Sequence, residues 1–229
     1  MREEQVAYQD LGMMSYAEAW SRQGSLQQAL IADKRAGIVS PHHLLFCEHH
    51  PVYTLGRSGS KDHLLIDTDS TEEFEFFKIN RGGDITYHGP GQLTVYPIFD
   101  LDRFFTDVHR YVRHLEEAVI RTLTHFEIKT KRIEGFTGVW IDVPEGVQER
   151  KICAIGVHLS RWVTLHGLAL NVDPDLAHFK HIIPCGIHDA GKTVTSMSQE
   201  LGTAIDINEV KVQLRLEFMD LFGYIEVEL

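Results

Sequence analysis

Strand-like runs follow one another along this chain with few helices between them. The runs HLLFCE (43–48), PVYTL (51–55), QLTVYPIF (92–99), GVWIDV (138–143), KICAIGVHL (151–159) and WVTLHGLALNV (162–172) are short and either apolar throughout or alternating, as strands buried on two faces or one must be. Pro144, Glu145 and Gly146 separate two of them, and Leu159 to Arg161 two others. Connections of that length make hairpins. A doubly wound parallel sheet needs a crossover helix after nearly every strand, and the chain lacks them. The expected class is therefore α+β, with helices packed on a mixed, largely antiparallel sheet.

Three helices are legible. Ser15 and Glu18 form a capping-box pattern ahead of Tyr16, Ala19, Trp20, Leu26, Leu30 and Ile31, and Gly37 supplies a stop. Val108, Tyr111, Val112, Leu115, Ala118, Val119, Leu123 and Phe126 recur at steps of three and four, leaving Arg110, Arg113, Glu117 and Arg121 facing outward. A third helix, expected to be capped by Asn208, carries Val210, Leu214, Phe218 and Leu221 and stops at Gly223. No low-complexity linker or repeat divides the 229 residues, so 1–229 reads as a single domain.

Composition excludes several functions. With 33 acidic and 22 basic residues the net charge is −11, which repels nucleic-acid phosphates and anionic membranes. The start MREEQVAYQDLGMM lacks a secretory pattern, and no apolar run approaches the roughly 18 residues of a membrane span. Cys47, Cys153 and Cys185 form no C-x-x-C pair, which fits a reducing compartment, so the expected location is cytoplasmic. Of the 14 histidines, His42/His43 and His49/His50 are adjacent pairs, which point to opposite faces of a strand, and no zinc-binding spacing accompanies them. No metal is expected.

Three constellations carry chemistry. Arg81-Gly82-Gly83-Asp84-Ile85-Thr86-Tyr87-His88-Gly89-Pro90-Gly91-Gln92 places four glycines among polar side chains, so backbone can approach a ligand closely. It matches neither phosphate-binding glycine motif. Lys151 opens the run KICAIG, either as the solvated end of a strand or as an ammonium at the mouth of an apolar cleft. Cys185 lies between Pro184 and Gly186, in a turn rather than on a core element, which makes it the candidate nucleophile. Cys47 and Cys153 lie within strand runs, where cysteine packs as a small hydrophobe. His166, beside Gly167, is either a site-lining group or a satisfied core histidine.

Taken in order, RGGDITYHGPGQLTVYPI, KICAIGVHL, LHGLALNV and IIPCGI closely resemble the lipoyl(octanoyl) transferases of protein lipoylation, and EHHPVYTLGR resembles that family's early strand pair. The resemblance runs from about Glu48 to Met197. It implies the lipoate/biotin protein ligase-like fold, Cys185 as acyl-carrying nucleophile and Lys151 as its partner. It implies acyl contacts from Arg81, Gly82, Gly83, Asp84, Ile85, Thr86, Tyr87 and His88, from Ala154, Ile155 and Gly156, and from Gly167, Leu168 and Ala169. The implied donor is octanoyl-acyl carrier protein. The implied acceptors are lipoyl domains of 2-oxoacid dehydrogenase complexes and the glycine cleavage H protein, with no cofactor and a monomeric enzyme. The rivals are an ATP-dependent lipoate-protein ligase of the same fold and a cysteine thioesterase or hydrolase. Cys153 stands where small residues are usual in the family and adds an oxidisable thiol near the site. Because the implied partners are acidic, Arg57, Lys61, Lys129, Lys131, Arg132, Arg150 and Arg161 are expected to form a basic rim that steers them.

Overall fold

The computed structural model describes residues 4–66, 74–183 and 192–228. Strand β1 (Glu4–Met14) leads into helix α1 (Tyr16–Ala36), then β2 (His42–His49) and β3 (Val52–Leu55). A single 3-10 turn (Lys61–His63) precedes β4 (Glu75–Lys78), β5 (Ile85–His88) and β6 (Gln92–Ile98). Helix α2 (Val108–His125) follows, then β7 (Thr130–Ile133), β8 (Phe136–Ile141), β9 (Glu149–Ser160) and β10 (Val163–Asn171). A 3-10 turn (Leu176–His181), β11 (Lys192–Val194), α3 (Met197–Leu201), α4 (Ile207–Phe222) and β12 (Tyr224–Val227) complete the described chain.

The local signals explain the helix ends. Ser15 accepts the Glu18 N–H and Gly37 closes α1 with left-handed backbone, as the capping-box reading requires. Asp107 caps α2 by accepting the Arg110 N–H. For α4 the cap is Asp206, whose carboxylate takes the Asn208 N–H at 2.9 Å, so the helix starts at Ile207 and Asn208 already lies inside it. The expected cap was two residues late because Asp and Asn satisfy the same orphan donors.

Nine strands form the main sheet among the described residues, in the order β12, β1, β2, β6, β10, β9, β8, β7, with β11 beside β9. β1 runs parallel to both of its neighbours and β11 runs parallel to β9, while β2, β6, β10, β9, β8 and β7 pair antiparallel in turn. The sheet is mixed and largely antiparallel, as the strand runs required. A smaller sheet, β4, β3, β5, packs beside it. The expected β9–β10 hairpin turns on Arg161 and Trp162, both in the left-handed region at φ 52° and 65°. That backbone matches the twist of a two-residue hairpin.

Burial on both faces explains why the central strands read as continuous apolar runs. Along β2, Leu44 and Phe46 face a core shared with Leu115 and Val119 of α2 and Leu214 and Phe218 of α4, while Leu45 and Cys47 face Ala19 of α1. Period-two alternation sends successive side chains to opposite layers. Each fully buried Leu or Phe contributes about 1.5–3 kcal/mol, so the sheet is held from both sides along its length. No described helix is long and apolar enough to cross a membrane.

Candidate active site

A cleft of about 430 Å³ opens where β8 leaves the edge of β9. The two strands pair only at Val139↔Cys153 and Trp140↔Lys151. Further along, that edge is met again by the glycine segment, whose Gly82 N–H donates to the Val157 carbonyl at 3.0 Å. The alternation of strand backbone directs the N–H and C=O of Ile155 toward the same edge, into the opening between the two contacts. Close packing of glycines lets the walls approach. A Cβ on Gly167 would lie 2.1 Å from the Val95 carbonyl oxygen, so β6 and β10 can come together there only without one.

The structure brings nearly all the expected binding residues to this cleft. Arg81, Gly82, Gly83, Asp84, Ile85, Thr86 and His88 line one side, Lys151, Ala154, Ile155 and Gly156 come from β9, and Gly167, Leu168 and Ala169 from β10. Tyr87 does not line it. Residues 85–88 form a strand rather than a loop, and alternation turns the Tyr87 ring away to pack with Tyr53 and Phe179. Cys185 and His188 lie outside the described residues. The described chain on either side of them reaches the cleft, through Phe179 before and Val194 after.

Lys151 owes its direction to a break in register. Val139 opposes Cys153, so regular pairing would set Trp140 against Ile152, yet Trp140 opposes Lys151. One extra residue on β9 makes a β-bulge, and a one-residue slip exchanges the two faces of a strand. Gly138, at φ 122°, gives the room. Its missing Cβ would stand 2.5 Å from the Cys153 carbonyl oxygen and 3.5 Å from Lys151 Cε. The Lys151 ammonium rests 4.6 Å from the centre of the Trp140 ring. The β7–β8 ribbon that carries this ring is fastened to α2 by Glu116. This fully buried carboxylate pairs with Arg113 and Arg132 and accepts the Gly138 N–H at 3.1 Å.

A buried polar network fixes the other wall. The Arg81 guanidinium donates to the Thr54 carbonyl at 2.7 Å and to the Thr54 hydroxyl at 3.0 Å. His88 Nδ1 donates to the Gln92 side-chain oxygen at 2.7 Å, Gln92 donates to Asn171, and Asn171 donates to the Thr195 carbonyl. The network thus runs from β5 through β6 and β10 to the segment that follows β11. Burial, with help from His49 and Arg81, holds the His88 imidazole neutral well below the ordinary range. Burial and then Arg81 lower His166 to about 3. His166 donates from Nε2 to Asn80 at 2.9 Å, and its Nδ1 has no hydrogen-bond partner among the described residues. His166 is therefore both site-lining and buried.

Three features extend or qualify the sequence reading. Tyr16, Gln92, Tyr96, Phe136 and Asn171 also line the cleft. Polar Gln92 and Asn171 at the two ends of apolar strand runs were the available signal. The Cys153 thiol is fully buried, and burial pushes it well above the ordinary range, so it is held as an unreactive thiol rather than an oxidisable one. Of the residues expected to form a basic rim, Lys131 pairs with Glu149, Arg132 with Glu117, and Arg150 with Glu200 through two hydrogen bonds of 2.7 and 2.8 Å. Arg57 adjoins the cleft, its N–H donating to the Arg81 carbonyl. At the mouth, His63 Nδ1 and Asp84 are 2.5 Å apart. Among the described residues no three His, Cys, Asp or Glu side chains gather into a metal site.

The architecture is that of the lipoate-protein ligases. The bi-partite lipoate protein ligase of Thermoplasma acidophilum superposes with a TM-score of 0.69 at 18% identity, over 100% of this chain and 86% of that one. Residues 15–219 match the lipoyl protein ligase A/B catalytic domain. The octanoyltransferase of Cytophaga hutchinsonii is 51% identical over 95% of this chain and 92% of its own length. That of Christiangramia forsetii is 50% identical over 95% and 96%. The chain belongs to the lipoyl protein ligase A/B catalytic family and groups there with the octanoyltransferases.

Proposed function

We propose that the protein transfers an octanoyl group from octanoyl-acyl carrier protein to a lysine of lipoyl domains, through a thioester on Cys185. The observation that carries this reading is the identity of about half the residues, over nearly the full chain, with octanoyltransferases. The cleft supports it chemically. Apolar groups from Ile155, Val157, Leu168 and Phe136 can receive an acyl chain. Six buried methylenes contribute about 5 kcal/mol at about 0.8 kcal/mol each.

In the first half-reaction the Cys185 thiolate attacks the thioester carbonyl, a carbon–sulfur bond to Cys185 forms, the carbon–sulfur bond to the carrier breaks, and the carrier's sulfur leaves as a thiolate that takes its proton from solvent. In the second, the acceptor amine attacks, a carbon–nitrogen bond forms, the bond to Cys185 breaks, and the amine's surplus proton leaves with the sulfur. Thioester exchange is nearly neutral in energy and thioester to amide runs downhill, so no nucleotide is needed. The Ile155 N–H, directed to the open edge of β9, is available to the carbonyl oxygen as it gains charge. On this reading residues 1–229 act as one catalytic domain, monomeric and cytoplasmic. Lipoyl domains of 2-oxoacid dehydrogenases and the glycine cleavage H protein are the acceptors.

Octanoyl-acyl carrier protein and an acceptor lipoyl domain, mixed with the enzyme in nucleotide-free buffer, are expected to yield the octanoylated domain by mass spectrometry. Product formed only from free octanoate and ATP would assign the chain to the ligases instead. Free octanoate released despite abundant acceptor would assign it to the hydrolases.

A further inference from the structure

We propose that, given the octanoyl transfer inferred above, Tyr96 and Tyr16 close the inner end of the cleft and set the longest acyl chain the enzyme accepts. The chain crosses the sheet from the open edge of β9, over Ala154 and Ala169, and its terminal methyl meets the two tyrosine rings.

Alternation along the strands leaves a path of that shape. Val95, Cys153 and Leu168 face the core shared with α2 and α4, so Tyr96, Ala154 and Ala169 face the α1 layer instead. Ala169 pairs with Ala154 on one side and with Thr94 on the other. The floor across β9 and β10 is therefore two methyl groups, whereas one strand further on Tyr96 packs with Leu45, Cys47 and Ala19. The neighbouring rows are filled. Gly156 lies under the glycine segment, since a Cβ there would stand 2.8 Å from the Gly82 carbonyl oxygen and 3.0 Å from Arg81 Cδ. On the other side Gln92 donates to Asn171 at 2.9 Å, joining β6 to β10. Ala154, Ala169, Tyr16 and Tyr96 all line the cleft.

The end wall is held in place, and both of its rings are buried. His49 donates from Nδ1 to the Met14 carbonyl at 3.1 Å, so its Nε2 accepts the Tyr96 hydroxyl at 2.7 Å. Tyr16, at the start of α1, stacks on the His88 ring with centres 5.9 Å apart and meets the His49 ring edge-on at 5.3 Å. The depth fits the chain. From β9 across β10 to β6 is two strand spacings, about 9.5 Å. With bonds of about 1.5 Å advancing roughly 1.25 Å each, the seven carbon–carbon bonds of an extended octanoyl group span about 9 Å and the nine of a decanoyl group about 11 Å. The longer chain must press on rings that cannot yield without breaking close packing.

The test is competition among equal amounts of hexanoyl-, octanoyl-, decanoyl- and dodecanoyl-acyl carrier protein, with the acylated lipoyl domains counted by mass spectrometry. For the wild type, product should fall sharply beyond octanoyl. In Tyr96→Leu and Tyr16→Leu the decanoyl-to-octanoyl ratio should rise by about 15-fold, the worth of two more buried methylenes. Tyr96→Phe and Tyr16→Phe keep the rings and should keep the wild-type ratio. Ala169→Val, which raises the floor, should shift preference toward hexanoyl. The affinity ratio of free decanoate to free octanoate, read by calorimetry, should rise in each Leu variant as the product ratio does, and this arm needs no acyl transfer. An enzyme that transfers no acyl group but shows the affinity shift in its Leu variants would remove the transferase reading and leave the wall standing. Folded Leu variants with wild-type ratios in both measurements would overturn the proposal. Should neither Leu variant fold, the wild-type series and Ala169→Val decide: an even decline along the series, or no shift toward hexanoyl, would overturn it.

Discussion

Lys151→Met is expected to lower kcat/KM for octanoyl transfer by about 10³-fold while leaving the melting temperature within a few degrees of wild type. Methionine keeps an unbranched stem that still passes over Gly138, and Lys151 is only half-buried, so packing changes little. The loss falls on the chemistry. A cysteine of ordinary pKa near 8.5 is about 3% thiolate at neutral pH. Lowering it by two units makes about three-quarters thiolate, which is worth about 2.7 kcal/mol. An ammonium within a few ångströms supplies a shift of that size. The same charge stabilises the oxyanion as it forms, which carries the expected effect beyond the roughly 25-fold change in thiolate alone. Steady-state rates at two pH values check it: raising the pH toward 9 should recover part of the loss. A variant within tenfold of wild type at neutral pH would show that Lys151 is a structural strand end.

Acid should destabilise the fold well before its carboxylates titrate. His42, His49 and His166 are buried and held neutral, with their pKa values pushed down to about 2, about 4 and about 3, and His88 is lowered well below the ordinary range. Desolvation is the leading cause for all four. In the unfolded chain each imidazole titrates near 6.5. Between the two values the unfolded state binds a proton that the native state refuses, so stability is fully present above about pH 6.5 and falls as pH drops toward the folded values. At pH 5 each histidine costs up to about 2 kcal/mol. Set against a typical stability of about 5–15 kcal/mol, four such groups should bring the urea midpoint down steeply between pH 7.5 and pH 5. The carboxylates whose pKa values are lowered by Arg partners, Glu117 and Glu200, act in the same direction only at lower pH. A midpoint that stays flat over that interval would mean these imidazoles are charged in the native state.

The parts legible in the sequence were those set by local chemistry. Ser15, Gly37 and Gly223 announce helix ends because orphan backbone groups need particular neighbours, and β2, β6 and β10 announce themselves because burial on both faces demands unbroken apolar runs. β1 was invisible. EQVAYQDLGMM carries neither alternation nor an apolar run, and it is a strand because β2 and β12 pair with it from distant parts of the chain. The glycine segment was legible as a cleft wall, but not as a strand, so Tyr87 was expected to face the ligand when alternation turns it away. Least legible was the bulge at Ile152. Nothing in KICAIG says that Lys151 rather than Ile152 will oppose Trp140, since register is a property of the pair of strands and not of either one.

On the proposed chemistry, Cys185 carries the acyl group. Wild-type enzyme mixed with octanoyl-acyl carrier protein, with neither ATP nor acceptor, and analysed intact and after proteolysis, tests it most directly. One octanoyl adduct is expected on the peptide containing Cys185, lost on adding a lipoyl domain and absent from Cys185→Ala. Octanoyl transfer by a folded Cys185→Ala variant at the wild-type rate, with no adduct on the wild-type peptide, would contradict it.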